Sequence, residues 1–531
     1  MKMARISDET SRTLGEYMFT TEHTPRGLTK DMIDLTAILT KEEYDDGQVP
    51  YRDQPKKRGM RLNIPVMSAA MQCVTGARMG TALAQLGGIG VVYCSQTIEN
   101  EARMVKAVKR AKAGFVSELE VVNSEEDLRR VVELIKMTGY NTIPVVAGSK
   151  EDYGRFLGII DGPIPSDIPS SMRAKDFMRA FQQEGLEDLV FRMLPDHAAS
   201  KGEKHGIVAE MIGLVKSYIP FAEADISLEA VNAMLKDEPN LKYMPIINKD
   251  GTLKYFVFRK DLQAHIDFPN AVVDQNKRYI IGAAVNTHDY SERVPALVEA
   301  GADVLFIDAS DGWGGWQEEC IDFIKSRYPE MPVIAGNIVR GDAFDTLVGH
   351  GIDGIKVGMG SGSICITSEE KGTGRGLATA VMEVARHRYE YFRKTGIYIP
   401  LIADGGVSLA KDIAMALCMG ADSVMMGQYF APCDESSAPR IQVEERTLVE
   451  YYGEGHSRAK AWCGFRYGQT DFDEGVIRKL PLAGPVADKL AKTFARIRST
   501  MITEGTHNIG ELRNAVIELI SDASRIQAGA Q

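Results

Sequence analysis

The sequence predicts an α/β protein whose main part is a closed barrel of eight parallel strands. Eight short apolar runs recur along the chain, each ending in Gly, Ser, Asp or Asn and followed by a helical pattern. The runs span residues 63–70, 88–92, 279–286, 304–310, 332–338, 354–360, 399–406 and 423–428. Near-continuous apolar strands that alternate with helices, such as those expected over 292–302 and 409–421, are typical of a parallel sheet with a covered outer face. Eight units complete a (β/α)8 TIM barrel, although an open doubly wound sheet has the same pattern.

A long insertion interrupts this spacing after the second strand, between residues 93 and 278. Within it, TIPVVAGSKEDYGRFLGIID (142–161) is similar to YMPIINKDGTLKYFVFRKD (243–261). Each copy has an apolar strand led by a proline, Pro144 or Pro245, followed by a polar turn and a second strand. Because one such unit cannot bury both of its faces, two copies indicate a tandem inserted domain. The pair resembles a tandem CBS (Bateman) domain, and a purely structural lid is the alternative.

The composition excludes several classes of protein. The 531 residues include 62 Lys plus Arg and 73 Asp plus Glu, for a formal net charge of −11, with no long basic run. Nucleic acid is therefore an unlikely main partner. The 7 cysteines form no CxxC pair, which indicates a reducing compartment. The first residues lack the apolar core of a signal peptide and no run is long enough to span a bilayer, so we expect a cytoplasmic protein that does not enter membranes.

The densest candidate for chemistry is GMGSGSICITSEEKGTGRG (358–376), directly after the sixth predicted strand. The glycines that precede Cys365 allow sharp backbone turns and expose N–H and C=O groups to a ligand. Barrels of this kind hold their active sites in the loops at the carboxyl ends of the strands. A thiolate presented there can attack an electron-poor carbon. Cys365 is therefore a candidate nucleophile, and a small buried apolar residue is the alternative for any single cysteine.

Polar residues also follow other predicted strands. Asp404, Gly405 and Gly406 end the seventh strand, where a carboxylate can accept hydrogen bonds from a ribose diol and glycine N–H groups can bind phosphate. A simple turn is the alternative. Gly427 closes the eighth strand, consistent with the phosphate site that barrels often build after strands seven and eight. The ends of strands four and five complete a ring of polar groups with Asp308, Ser310 and Asn337.

The segment 430–475 is too polar and too rich in glycine to be a barrel helix, and it is longer than an ordinary loop. Such segments are usually functional or disordered. Arg466 and Tyr467 stand side by side within it, although a solvated surface is the alternative for a charged stretch.

These motifs together resemble the inosine monophosphate dehydrogenase family. The stretches PVMSAAMQCVTG, GGIGVV, GNIV, GMGSGSICIT and ADGGV, the Arg466-Tyr467 pair and the CBS-like insertion follow the family's order over nearly the whole chain. The resemblance implies a catalytic barrel formed by residues 1–107 and 269–531, with a mobile flap at about 430–475, and a regulatory CBS pair at 108–268. It also implies a homotetramer and binding of purine nucleotides by the CBS pair.

The resemblance assigns roles to individual residues. It makes Cys365 the nucleophile that adds to C2 of inosine monophosphate (IMP), with Thr367 as its companion and Arg466, beside Tyr467, as the base that activates water. The residues expected to contact NAD are Asp308, Ser310, Gly358, Met359 and Gly360. The residues expected to bind IMP are Ser363, Asp404, Gly405, Gly406, Gly427, Gln428, Tyr451, Gly453, Glu454, Gly455 and Glu474. The carbonyl groups of Gly360, Gly362 and Cys365 are similar to the family's monovalent-cation (K⁺) site.

The implied reaction is NAD-dependent oxidation of IMP to xanthosine 5'-monophosphate through a covalent thioimidate that water hydrolyses. Two alternatives remain at this point. The sister activity, guanosine monophosphate (GMP) reductase, shares the barrel and the Cys-Thr loop but needs no hydrolytic flap, so the 430–475 segment favours the dehydrogenase. The second alternative is a nucleotide-sensing protein with working CBS repeats and a degenerate barrel, which the intact loop around Cys365 disfavours. The chain departs from the family pattern at Gln428 and in its C-terminal RIQAGAQ, where members often carry Glu-Gly-Gly.

Overall fold

A computed structural model of the chain describes residues 10–20, 27–111, 115–116, 121–138, 142–148, 154–161, 171–180, 221–226, 228–237, 243–259, 267–309, 311–444, 446–461 and 472–520. No helix among these residues has both the length and the apolar character needed to cross a bilayer.

Strands and helices are numbered here in chain order. The strands are β1 Tyr17–Phe19, β2 Ala37–Ile38, β3 Glu42–Glu43, β4 Arg61–Leu62, β5 Val66–Ser68, β6 Ile89–Val92, β7 Phe115–Val116, β8 Val122–Asn123, β9 Thr142–Ala147, β10 Arg155–Asp161, β11 Arg179–Ala180, β12 Ala222–Glu223, β13 Tyr243–Ile247, β14 Leu253–Phe258, β15 Gly282–Val285, β16 Val304–Ile307, β17 Val333–Ile338, β18 Gly354–Val357, β19 Ile397–Tyr398, β20 Leu401–Asp404, β21 Ser423–Met426, β22 Arg440–Val443, β23 Arg446–Tyr452, β24 Ile477–Pro481 and β25 Ile517–Leu519. The α-helices are α1 Ala77–Leu86, α2 Ile98–Arg110, α3 Leu128–Thr138, α4 Ala174–Phe177, α5 Leu228–Asp237, α6 Tyr290–Glu299, α7 Gly315–Arg327, α8 Gly341–Val348, α9 Thr367–Lys371, α10 Leu377–Thr395, α11 Ala410–Cys418, α12 Ser457–Lys460, α13 Val486–Thr503 and α14 Ile509–Leu512.

Eight parallel strands form a closed barrel in the order β5-β6-β15-β16-β17-β18-β20-β21, and β21 pairs with β5 to close it. The predicted barrel is therefore confirmed, and the open sheet is excluded. Each predicted apolar run contains one of these strands, as in β16, whose residues are all fully buried. Several runs continue beyond the strand itself. After β18 the backbone leaves the extended conformation at Gly358 and Gly360, where φ is 142° and 72°.

The chain divides into two compact units. Unit 1 contains Met1–Ala111, Phe268–Asp274 and Arg278–Gln531, and unit 2 contains Lys112–Asp267 and Gln275–Lys277. Unit 1 holds the barrel, and two-stranded sheets pair β1 with β25, β2 with β4 and β3 with β19. Unit 2 has two four-stranded sheets, β11-β10-β9-β8 and β12-β13-β14-β7.

The two similar segments of unit 2 form the same structure. Each is an antiparallel hairpin, β9-β10 or β13-β14, and in each a short strand, β8 or β12, runs parallel to the first hairpin strand. The two hairpins share one apolar core in which the rings of Phe156 and Phe256 lie 6.4 Å apart. Each repeat thus covers apolar surface of the other. Their assignment as CBS motifs stays a prediction.

The buried ammonium group of Lys109 connects the segment where the chain leaves unit 1 with the segment where it returns. Lys109, near the end of α2, is 5% exposed, and its Nζ lies 2.9 Å from Asp274 Oδ2 and 2.8 Å from Asp303 Oδ2. Arg278 Nε also lies 2.9 Å from Asp274 Oδ2. These ion pairs hold the end of α2, just before the chain leaves unit 1 at Ala111, against the segment Phe268–Asp274, where the chain returns.

A second buried ionic cluster surrounds Asp422, just before β21. Arg388 Nη1 lies 3.0 Å from one carboxylate oxygen, and Arg513 Nη2 lies 2.8 Å from the other. The hydroxyl groups of Tyr51 and Tyr398 also donate to Asp422, at 2.7 and 2.8 Å. Burial alone would raise the pKa of Asp422, but the two guanidinium groups outweigh it and hold that pKa below its ordinary value of 3.8. The cluster joins the N-terminal segment, α10 and the C-terminal segment to the barrel.

Replacing Asp422→Asn should lower the free energy of unfolding at pH 7 by about 3–5 kcal/mol, because two buried guanidinium groups then lose their counter-charge. Urea denaturation followed by circular dichroism measures this difference. Since the pKa of Asp422 is lowered in the folded protein, its contribution is complete at neutral pH and is lost as the pH falls below 3.8 through the folded value. The difference between wild type and variant should therefore narrow in acid.

A matched control is Asp342→Asn, which removes an acid from an exposed pair with Arg340. This control should change stability little. Equal stability of Asp422→Asn and wild type at pH 7 would contradict the role given to the buried cluster.

Candidate active site

A pocket of about 280 Å³ lies where the loops after β5, β18, β20 and β21 meet. The sequence-predicted substrate residues all line it: Ser363, Asp404, Gly405, Gly406, Gly427, Gln428, Tyr451, Gly453, Glu454, Gly455 and Glu474. The other lining residues are Ala69, Met71, Gly362, Ile364, Cys365, Thr367, Val407, Ser408 and Met425. The fold thus brings one predicted nucleophile and one predicted set of ligand-binding residues into a single cavity.

Cys365 lies on the loop between β18 and α9. The loop begins at Gly358, where a Cβ atom would come within 1.9 Å of the carbonyl oxygen of Asp404. Only glycine permits this approach of the two strand ends, because any side chain would overlap backbone. Further along, the N–H of Cys365 donates to the carbonyl of Gly362 at 3.1 Å, which closes a tight turn just before the thiol.

Among the six cysteines that the structure describes, Cys365 alone is partly exposed. Burial raises the pKa of Cys73 and of Cys320 to about 12, and that of Cys418 and of Cys433 to about 11. These buried thiols are therefore protonated near neutral pH and poor nucleophiles. Exposure in a pocket distinguishes Cys365 from them.

A chain of side chains leads away from the sulfur of Cys365. Its Sγ donates to Thr367 Oγ1 at 3.2 Å, and the Thr367 hydroxyl in turn donates to Glu474 Oε2, also at 3.2 Å. The other carboxylate oxygen of Glu474 lies 2.8 Å from Lys371 Nζ. Both Thr367 and Glu474 are buried. The arrangement can pass a proton between the sulfur side of the pocket and a carboxylate paired with an ammonium group.

Another part of the pocket wall contains Asp404, at the end of β20. The side-chain amide of Asn337 donates at 2.9 Å both to Asp404 Oδ2 and to the carbonyl of Gly358. The buried Lys356 Nζ lies 3.6 Å from Asp404 and also 3.6 Å from Asp308. One cation thus lies between two carboxylates and holds the predicted ribose-binding residue beside a predicted NAD-binding residue.

Gly427 forms a narrow part of the pocket wall. A Cβ atom there would lie 2.6 Å from the hydroxyl of Tyr451 and 2.9 Å from the sulfur of Met71. Burial raises the pKa of Tyr451, so its hydroxyl stays protonated and can donate a hydrogen bond. The backbone N–H of Gly427 and the hydroxyl of Tyr451 therefore belong to the same part of the cavity.

Other predicted residues lie outside this cavity or outside the described residues. Asp308, Gly358, Met359 and Gly360 do not line it, although Lys356 connects Asp308 to Asp404. Met359 forms an isolated β-bridge with Arg375, and the chain between these two residues contains Cys365. Ser310, Arg466 and Tyr467 fall outside the described residues. Of the predicted flap, the structure describes β22, β23 and α12, with β22 and β23 in a three-stranded sheet that includes β24.

Sequence reasoning missed Lys356, Lys371, Met71 and Ser408. A lysine within the apolar run GIKVGMG was a usable signal for Lys356, because a buried lysine needs a carboxylate partner. Lys371 had no comparable signal, since it reaches the site only through Glu474, more than a hundred residues away in sequence.

The fold and the pocket define an α/β-barrel enzyme with a cysteine in its ligand cavity. The family model described as "IMP dehydrogenase / GMP reductase domain" matches residues 41–530. An inosine-5'-monophosphate dehydrogenase of Tritrichomonas foetus is 37% identical over 535 residues, which cover 99% of this chain and 97% of that protein. One from Aquifex aeolicus (strain VF5) is 31% identical over 494 residues, 92% of this chain and 91% of that protein. The chain belongs to the IMP dehydrogenase / GMP reductase family.

A solved structure of similar fold comes from the same family. The crystal structure of a GMP reductase from Trypanosoma brucei in complex with guanosine 5'-monophosphate has a TM-score of 0.76 and 26% sequence identity, and covers 98% of both chains.

Proposed function

We propose that the protein oxidises IMP to xanthosine 5'-monophosphate with NAD⁺, a step toward guanine nucleotides. The observation that carries the proposal is the shared cavity of Cys365 and the predicted nucleotide-binding residues. Full-length similarity to proteins named inosine-5'-monophosphate dehydrogenase supports it. We further propose a cytoplasmic homotetramer, as the family resemblance implies.

In this proposal the two ends of the cavity bind different parts of IMP. The phosphate binds to the backbone N–H groups near Ser363, Gly405, Gly406, Gly427 and Gln428, because glycine-rich turns offer N–H groups to anions. Asp404 accepts hydrogen bonds from the ribose hydroxyls, and the amide of Asn337 holds its carboxylate in place. The base and the remaining edge lie against Tyr451, Gly453, Glu454, Gly455 and Glu474.

Chemistry begins when the Cys365 thiolate adds to C2 of the purine and makes that carbon tetrahedral. The carbon then releases hydride, which NAD⁺ accepts when bound, and a thioimidate linked through Sγ remains. In this proposal Thr367 and Glu474 take and return protons during these steps, and the contacts of the Thr367 hydroxyl with both Sγ and the carboxylate support that role. Water then attacks C2, and the thiol leaves.

The NAD⁺ site is proposed at Asp308, Ser310, Gly358, Met359 and Gly360. The Asp308 carboxylate fits a carboxamide, because it can accept hydrogen bonds from an amide NH₂ group. The Asp308 side chain is partly exposed, with 18% of it accessible to solvent. The carbonyl groups of Gly360, Gly362 and Cys365 are suited to a monovalent cation such as K⁺, since carbonyl oxygen is a ligand that K⁺ accepts in proteins. The Gly362 carbonyl also closes the turn before Cys365.

The assignment is tested by incubating the enzyme with IMP and NAD⁺ and recording NADH absorbance, and with GMP and NADPH in parallel. NADH should form only with IMP and NAD⁺. Cys365→Ala should lower the rate of NADH formation to less than about one-thousandth of the wild-type rate, because the nucleophile is lost. Cys418→Ala, which alters a buried thiol on α11, serves as the matched control. Mass spectrometry of the quenched reaction should show a nucleotide adduct on the peptide that contains Cys365.

GMP reductase is the second candidate, favoured by the structural similarity to the Trypanosoma brucei enzyme. Consumption of NADPH with GMP, without NADH formation from IMP, would reverse the assignment. Absence of both activities and of an adduct would favour a nucleotide-binding protein with an inactive barrel.

We assign Arg466, supported by Tyr467, to deprotonation of the water that hydrolyses the thioimidate. Arg466→Ala should retain a first burst of about one NADH per active site but slow later turnovers about a hundredfold or more, because hydride transfer precedes the attack of water. Rapid-mixing absorbance measures both phases. Arg478→Ala, at an exposed position of β24, is the control and should keep both phases. Loss of the burst in Arg466→Ala would exclude this role.

The inserted unit is proposed as a CBS pair that binds purine nucleotides and alters activity or assembly. Its two hairpins share one core, as expected for tandem repeats that stabilise each other. The Lys109–Asp274 ion pair brings together the segments where the chain leaves and re-enters unit 1. Residues 112–267 can therefore be replaced by a short linker. ATP, GDP or GTP should change IMP oxidation or the mass measured by light scattering in the full chain but not in the deletion variant. An identical nucleotide response of both proteins would contradict the proposal.

A further inference from the structure

A carboxylate in a nucleotide pocket needs partners of its own, because it repels the phosphate. Glu454 lines the pocket, yet its carboxylate is bound by protein groups. Oε1 accepts the backbone N–H of Gln72 at 2.7 Å, and Oε2 accepts the hydroxyl of Ser95. Gln72 follows β5 and Ser95 follows β6, so this one side chain reaches the loops of the first two barrel strands.

The same contact region holds Tyr452, two residues before Glu454. The carbonyl of Tyr452 accepts from Cys73 Sγ at 3.1 Å, and its N–H donates to the same sulfur at 3.4 Å. The hydroxyl of Tyr452 donates to Gln72 Oε1 at 3.3 Å, while Gln72 Nε2 donates to the carbonyl of Ser95 at 2.7 Å. Gln72 and Ser95 are themselves buried. The end of β23 is therefore bound to the barrel rather than exposed to solvent.

From Glu454 a ladder of backbone hydrogen bonds leads to the nucleophile. The N–H of Glu474 donates to the carbonyl of Gly455 at 3.0 Å. The N–H of Ile366 then donates to the carbonyl of Glu474 at 3.0 Å, and the N–H of Val476 donates to the carbonyl of Ile364 at 3.0 Å. Ile364 and Ile366 are the two neighbours of Cys365. The loop that carries the thiol therefore pairs with the segment 474–476, which pairs with the segment held by Glu454.

We propose that Glu454 is a positioning residue that anchors this ladder to the β5 and β6 loops through Gln72 and Ser95, and so fixes the cysteine loop before substrate binds. Its carboxylate does not serve as a ligand for the base or phosphate. The backbone of residues 453–455 then faces the nucleotide. This inference deepens the proposed function, because it concerns the same cavity and rests on that function only for the activity measurements.

The test compares Ser95→Ala, Glu454→Gln and the double variant with wild type. The first readout is the rate at which iodoacetamide alkylates Cys365 in the ligand-free enzyme, followed by peptide mass spectrometry. We expect each single variant to change that rate about threefold or more, in the same direction, because the loop is no longer fixed. The double variant should resemble Glu454→Gln alone, since both changes break one interaction.

The second readout is steady-state oxidation of IMP. The kcat/KM for IMP should fall about tenfold in Ser95→Ala, the effect of losing a hydrogen bond to a charged group. Ser95→Thr, which keeps the hydroxyl, should restore most of it. Thr506→Val removes a buried hydroxyl that donates to the carbonyl of Met501, and neither residue lines the pocket, so this variant should leave both readouts unchanged. Thermal unfolding of each variant separates a loop effect from loss of the fold.

Unchanged alkylation of Cys365 in both single variants, with a raised KM in Glu454→Gln only, would show a direct substrate ligand and overturn the proposal. Independent effects that multiply in the double variant would also overturn it. If Ser95→Ala does not fold, the alkylation rate of Cys365 in Glu454→Gln against wild type still tests the anchor. If the wild type fails to oxidise IMP, the alkylation rates still test the anchor, so the two proposals fail separately.

Discussion

Closure of eight parallel strands into a barrel is the constraint on which the site depends. Parallel pairing points every strand in the same direction, so all the connecting loops that follow the strands meet at one rim. Residues as distant in sequence as Met71, Cys365 and Gly427 therefore line one cavity. The pairing of β21 with β5 completes this ring and sets the residues after the last strand beside those after the first.

In two clusters of the barrel unit, buried charges have counter-charges close by. Lys356 and Asp422 are both almost inaccessible to solvent, and each has counter-charges within 4 Å. Around Lys356 the partners are Asp308 and Asp404, the two carboxylates proposed to contact the cofactor and the ribose, so the cation sets the position of both groups. Around Asp422 the partners join distant segments of the chain. Similar electrostatics thus serves the site in one place and the scaffold in the other.

Sequence alone was sufficient for the barrel because its strands are buried on both sides and therefore read as uninterrupted apolar runs, as β16 does. It also indicated Cys365 and Asp404, which lie close to the ends of such runs, whereas most other lining residues came from the family resemblance and Met71 and Ser408 were missed. It was insufficient for Lys371 and for the contact between Ser95 and Glu454. These depend on which loops meet in three dimensions, and no local pattern in the chain records that meeting. The strand ends were predicted too long where glycines with positive φ turn the backbone away.

The buried pairs around Lys109 have a consequence for how this architecture can change in evolution. Lys109 pairs with Asp274 and Asp303, all within the barrel unit, so contacts of that unit itself hold the chain where it leaves and where it returns. Whole domains can be gained, exchanged or lost at such an insertion point while the barrel keeps its shape. The inserted unit and the barrel are thereby free to diversify at different speeds.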